Sequence, residues 1–166
     1  CGDILTAELP MSVASFRVDS VTAALMDSLI RSGMKTLTMA PEAGSDRMRA
    51  AINKGITEEH LWRALDMGIA AGLRHYRLYL MIGLPGETAE DIEAIVSLAI
   101  RLKEYLESKG NKGTLTLSVN PFVPKPFTPF QWLPMMDKAA VEAELRQLRQ
   151  GLKRRRGIEI LTEPLK

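Results

Sequence analysis

The chain has 166 residues, 46% of them hydrophobic and 25% charged, with a net charge of +2, enough material for one domain with a real core. That balance points to neither nucleic acid nor a membrane surface as a partner. No apolar run approaches the ~20 residues that span a bilayer, and no signal peptide opens the chain, so the expected location is cytoplasmic. The single cysteine, Cys1, excludes a disulfide framework and an all-cysteine metal site within one chain. Because it begins at Cys1 rather than at methionine, the sequence reads as a fragment or processed piece of a longer protein.

Strand-like and helix-like periodicities alternate along the sequence. Residues 11–18 have the character of a short strand that stops at Asp19 and Ser20. Residues 22–32 follow as a helix, with Leu25, Met26, Leu29 and Ile30 at helical spacing and Gly33 as its C-terminal cap. Residues 36–40 form a β-rich strand halted by Pro41, and Thr57 is a good N-cap for a helix through Leu61, Leu65 and Ile69 to Gly72. A third strand covers residues 75–82 and breaks at Gly83-Leu84-Pro85-Gly86. Thr88 and Asp91 resemble a capping box opening a helix to about Lys109, which Gly110 ends. Residues 114–119 make a fourth strand that leaves through Asn120-Pro121 into a proline-rich loop, residues 121–136. Asp137 caps a last helix with Val141, Leu145, Leu148 and Leu152 on one stripe, and residues 158–161 form a short final strand.

This repeat of strand, loop and helix, about 40 residues long, implies parallel strands within one α/β unit, residues 1–166. Two architectures fit, an open doubly wound sheet or part of a (β/α) barrel, and periodicity does not choose between them. In both, ligands bind at the carboxyl ends of the strands. Arg17, Asp19 and Ser20 collect there, with Pro41-Glu42-Ala43-Gly44-Ser45, the Gly83 turn and Asn120-Pro121. Glycine, proline and asparagine also simply stop strands. The Gly83 turn is neither a phosphate loop with a Lys-Ser/Thr pair nor a dinucleotide fingerprint.

Taken together, four segments resemble the radical S-adenosylmethionine superfamily: Arg17-Val18-Asp19-Ser20, Ala40 to Asp46, Asn53-Lys54-Gly55-Ile56-Thr57, and Leu80 to Thr88. They look like strands three, four and five of that family's six-stranded partial barrel. The stretch from Asn120 to Trp132 resembles the segment after strand six in the branch with an upstream cobalamin-binding domain, related to the methylthiotransferases. The implied fold is therefore about the second half of a radical SAM barrel, strands three to six plus a C-terminal helix. The resemblance implies that Ile82 and Gly83 pack against the adenine of S-adenosylmethionine, largely through backbone. It sets Glu42 near the methionine or ribose moiety, Lys54 at the methionine carboxylate and Tyr79 toward the ribose. Surface ion pairs of Glu42 and Lys54 with Arg47 or Asp46 are the plainer alternative, ordinary barrel filling is the alternative for Tyr79, and Arg17 and Asp19 fit a mutual pair.

The family's 4Fe–4S cluster is held by three cysteines in a C-x-x-x-C-x-x-C loop after strand one, and thiolates are the ligands it needs. One cysteine does not supply them, so the chain is expected to lack the cluster and to be inactive alone. In the parent, an Fe–S oxidoreductase, the resemblance implies reductive cleavage of S-adenosylmethionine to a 5′-deoxyadenosyl radical, with cobalamin as a further cofactor of its branch. The implied partners are the missing N-terminal half of the barrel and a substrate, with RNA a candidate because relatives modify tRNA. Lys153-Arg154-Arg155-Arg156 would serve RNA binding or stand as a solvated helix end. The proline-rich loop reads as a polyproline ligand or as a loop crossing the barrel mouth with Phe122, Phe127, Phe130 and Trp132 as apolar anchors. Exposed strand edges would make the fragment self-associate. Two rivals remain, a non-catalytic interaction or RNA-binding module on a barrel scaffold, and an unrelated barrel using the Gly83 turn for phosphate.

Overall fold

Alternate residues of a strand share a face, and that parity organises the molecule. The computed structural model describes residues 17–163. Four parallel strands stand in the order β1-β2-β3-β4: Thr36–Glu42, His75–Ile82, Leu115–Pro121 and Ile158–Thr162. The helices are α1 (Ala23–Arg31), α2 (Asp46–Ala51), α3 (Glu58–Ala70), α4 (Ala89–Ser108) and α5 (Lys138–Leu152). Val18–Ser20 forms one 3-10 turn instead of a strand end, and residues 11–16 of the expected first strand lie outside the described residues.

The caps agree with the sequence. Thr22 accepts from Leu25 N–H, Asp137 accepts from Ala140 N–H, and Asp91 Oδ2 accepts from Thr88 N–H at 2.9 Å. His60 serves as a cap: its Nδ1 accepts from Thr57 N–H at 3.1 Å. Each of these satisfies a backbone donor that a helix start leaves open.

One core holds the elements together. Leu37 and Met39 of β1, Tyr76, Leu78, Leu80 and Ile82 of β2, and Leu115, Leu117 and Val119 of β3 are buried with the apolar stripes of α1, α3, α4 and α5. Within each strand these residues alternate, and the register sets them side by side across the sheet, so all four helices cover a single face. A doubly wound sheet has helices on both faces. The observed arrangement is therefore a partial (β/α) barrel, which resolves the choice that periodicity left open. The other face is concave and polar, with Thr38, Arg77 and Thr116 in one cross-strand row and Tyr79 beside Ser118 in the next. No helix among the described residues is long and apolar enough to cross a membrane.

Candidate functional site

At the carboxyl end of β1 the backbone leaves the sheet through a bulge between Met39 and Glu42, and Glu42 takes a left-handed φ of 67°. That conformation is uncommon for a residue with a Cβ, and such strain collects at functional sites. The loop behind it is built from buried parts. Arg49, 1% exposed, donates to the carbonyls of Ala43 and Gly44 at 2.9 and 3.0 Å. Gly44 lies against α4 so closely that a Cβ would fall on the backbone of Ala94 and Ile95. Ser45 then caps α2 by accepting from Met48 N–H. After α2 a second left-handed residue, Asn53 (φ 53°), turns the chain back. Lys54 Nζ thereby meets Glu42 Oε1 at 2.9 Å, with both side chains about three-quarters shielded from solvent.

The surface-pair alternative fails on its partners: Arg47 pairs with Asp91, and Asp46 pairs with Arg49 at 2.5 Å. These pairs also fasten one loop to the next. Asp91 accepts from Ser45 Oγ at 2.6 Å and from Arg47, which also donates to the Gly86 carbonyl at 2.9 Å. Burial works to raise the Asp91 pKa, but the bonds from Ser45, Arg47 and Thr88 outweigh it and hold the carboxyl at about 2.

The end of β2 is shaped by Gly83 (φ 71°), whose N–H donates to Glu87 Oε2 at 2.5 Å. Leu84 N–H donates to the same oxygen at 3.1 Å. Burial, and next the charge of Glu144, push the Glu87 carboxyl up to about 7. At the end of β3, Phe122 packs edge-on against Phe130 with ring centroids 5.9 Å apart. With Ala43, Met48 and Leu84 these rings form a small second apolar cluster beneath the strand ends.

Above that cluster opens a cleft of about 990 Å³. Glu42 and Lys54 line one wall, Tyr79 and Met81 the middle, and Asn120 with Thr128 and Phe130 the other wall. Asn120 Oδ1 is buried and has no hydrogen-bond partner among the described residues. The cleft thus offers a paired cation and anion, a phenol and an unpartnered amide oxygen above an apolar floor. Such a mixture suits a ligand with a zwitterionic end and a flat end.

Of the expected site residues, Glu42, Lys54 and Tyr79 come together in this cleft. Ile82 does not line it: its side chain is 0% exposed in the main core, and its carbonyl accepts from Phe122 N–H at 2.8 Å. Gly83 stands beside Leu84, which does line the cleft, and its own N–H is already engaged by Glu87. A ligand would therefore meet this backbone mainly by van der Waals approach. Phe122 and Phe130 act as anchors as expected, whereas Phe127 and Trp132 are 97% and 87% exposed and anchor nothing. Arg17 and Asp19 pair with one another at 2.9 Å in solvent.

Sequence reasoning missed Arg49, whose burial nothing local announces, and it gave Asn120 a place at the strand-end rim but no role of its own. It also missed α2, signalled only by Ser45. Lys153-Arg154-Arg155-Arg156 lies away from the cleft, at the start of the strands, since the neighbouring Gly157 carbonyl accepts from Leu115 N–H, and Arg155 pairs with Glu104 at 3.0 Å.

Among the described residues no group of three His, Cys, Asp or Glu side chains is placed to hold a metal ion. Residues 6–99 match the sequence profile of the Radical SAM superfamily, a span that includes β1, β2 and the Glu42–Lys54 wall. An uncharacterized protein of Methanocaldococcus jannaschii is 40% identical over 121 residues, or 73% of this chain. The matched stretch is 25% of that protein, so the chain spans about a quarter of the length of its relative.

Proposed function

This chain belongs to the radical SAM superfamily, and on that premise we propose that its cleft is an S-adenosylmethionine site within the barrel of a longer enzyme. The observation that carries the reading is the Glu42–Lys54 pair in a cleft also lined by Asn120, whose Oδ1 has no partner among the described residues. Lys54 would hold the methionine carboxylate as a point charge, in place of the bidentate fork that an arginine provides. Glu42 would accept from the amino or ribose end, Tyr79 would flank the ribose, and the Ile82–Gly83 backbone would back the adenine. The donor set fits that ligand: a carboxylate meets an ammonium, and Asn120 Oδ1 gains a donor that its buried state lacks. When bound, the cofactor supplies a carbon–sulfur sulfonium bond that one-electron reduction breaks. The chain's own residues bind, orient and exclude water, and none of them needs to move a proton for that step.

The 4Fe–4S cluster does not fit this chain. It needs three thiolates, and the sequence has one cysteine, Cys1, outside the described residues. In our reading the cluster ligands belong to another part of a longer protein, and these 166 residues are inactive by themselves. The stretch from Asn120 to Trp132 supports the cobalamin-associated branch related to methylthiotransferases. The test is made on the full-length protein, purified without oxygen and reconstituted with iron and sulfide. Reduction with dithionite in the presence of S-adenosylmethionine is expected to yield 5′-deoxyadenosine, lost on changing the cluster cysteines. No product and no cluster signal would leave a barrel-shaped binding module as the better account.

A further inference from the structure

The two charges on the cleft wall flank one short helix. Glu42 precedes α2, and Lys54 follows it at the close of a Schellman turn. Left-handed Asn53 donates its N–H to the Ala50 carbonyl at 2.9 Å, and Lys54 N–H donates to the Arg49 carbonyl at 2.8 Å. With 6 residues, α2 is too short to hold such a geometry by itself. Arg49 ties both of its ends. Nη1 reaches back to the Ala43 and Gly44 carbonyls at 2.9 and 3.0 Å, while Nη2 donates to Asp46 Oδ1 at 2.5 Å. The carbonyl of the same residue receives Lys54.

A guanidinium is a costly group to bury here. Asp46, its one carboxylate partner among the described residues, is largely exposed, and Arg49 Nε is buried with no partner among them. An apolar side chain of similar length would fill the space without that cost. It would not supply a planar fork of donors that reaches two carbonyls and a carboxylate at once. The stretch leaving Glu42 is where those donors go. Gly44 in that stretch already lies against the backbone of α4, so the loop is fastened both to that helix and to Arg49.

We propose that Arg49 is the positioning residue of the cleft. Its side chain fixes the loop after Glu42 and its carbonyl fixes Lys54, so it presets the spacing of the pair that receives the zwitterionic end of the ligand. The left-handed φ of Glu42 is kept by the same fastening. Arg49 does not line the cleft, and it acts on the ligand only through the pair. The preset spacing is a property of the chain alone, whereas its effect on affinity rests on the cofactor reading above.

The experiment compares Arg49→Met and Arg49→Lys, each with and without Lys54→Ala. Three quantities are measured: urea unfolding, amide residual dipolar couplings of the ligand-free chain, and S-adenosylmethionine affinity by calorimetry. In Arg49→Met the couplings of Glu42, Asn53 and Lys54 should change while those of Leu78 and Leu80 hold. Affinity in the folded molecules should fall about tenfold, as expected when a binding group is misplaced. Adding Lys54→Ala to Arg49→Met should then weaken binding less than about twofold further, because the lysine is already out of place. Arg49→Lys keeps one donor for the carbonyls and should lose only about threefold. If Arg49→Met folds poorly, Arg49→Lys carries the same test, with a matching reduction in the Lys54→Ala effect. A side chain that merely stabilised the fold would shift urea unfolding and leave the two substitutions independent. Unmoved couplings at Glu42 and Lys54, unchanged affinity, or losses that simply multiply would each overturn the proposal. Couplings that move as expected in a chain that binds no S-adenosylmethionine would uphold the positioning role and overturn the cofactor assignment.

Discussion

The same strands make both faces of the sheet, and the two faces have opposite characters. Leu78, Leu80 and Leu117 on the convex side are no more than 2% exposed and belong to one continuous core. Their neighbours in the chain, Arg77, Tyr79 and Ser118, look into the concave side, where the cleft opens at the strand ends. Burial of apolar surface holds the first face together. The second carries polar groups without partners among the described residues, of which Asn120 Oδ1 and Arg77 Nε are two. Stability and ligand chemistry are thus separated by a single residue of strand register.

Substitutions on the two faces should therefore separate in kind as well as size. Leu78→Ala on the convex face removes a fully buried side chain and should cost about 3 kcal/mol in urea unfolding, with no altered ligand preference in the molecules that remain folded. Gly44→Ala tests the joint between β1 and α4, since its Cβ would meet the backbone of Ile95. A loss of about 2 kcal/mol is expected there, from overpacking against atoms that have no room to yield. Lys54→Ala should invert the pattern, weakening S-adenosylmethionine binding about tenfold, or ~1.4 kcal/mol, by calorimetry. Its effect on unfolding should stay below about 1 kcal/mol, because the Glu42 pair is only partly shielded.

Asp91 gives the comparison a pH axis. Its folded-state pKa is lowered to about 2 from an ordinary 3.8. The contribution is present above the ordinary value and is lost as pH falls through about 2, which is the opposite sense to Glu87. In Asp91→Asn, acid unfolding followed by circular dichroism should lose this component of its pH dependence. An unchanged acid limb would mean that the Ser45 and Arg47 bonds do not fasten the two loops in solution.

The convex face was legible because its signals are local. Alternation in residues 75–82, the cap at Thr57 and the Thr88–Asp91 pair each depend on residues within one turn or one strand. The choice between barrel and open sheet was not legible in periodicity, since a crossover helix shows one apolar stripe in either case; the resemblance made it. The resemblance brought Glu42, Lys54 and Tyr79 to the right rim, but the pairing of Glu42 with Lys54 depends on left-handed backbone at Glu42 and Asn53 that no residue type there announces. Helix α2 has 6 residues, too few for a period to show. Phe127 and Trp132 were expected as apolar anchors of a loop crossing the barrel mouth; the loop instead turns Phe122 and Phe130 inward and leaves those two outside.

The most direct test of the central claim is amide NMR mapping of S-adenosylmethionine added to this chain. The account predicts saturable shifts at Glu42, Lys54, Tyr79 and Asn120, weakened in Lys54→Ala, with the convex core unmoved. Absence of saturable shifts, or shifts confined to the groove between α5 and β4 around Arg146 and Arg149, would contradict it.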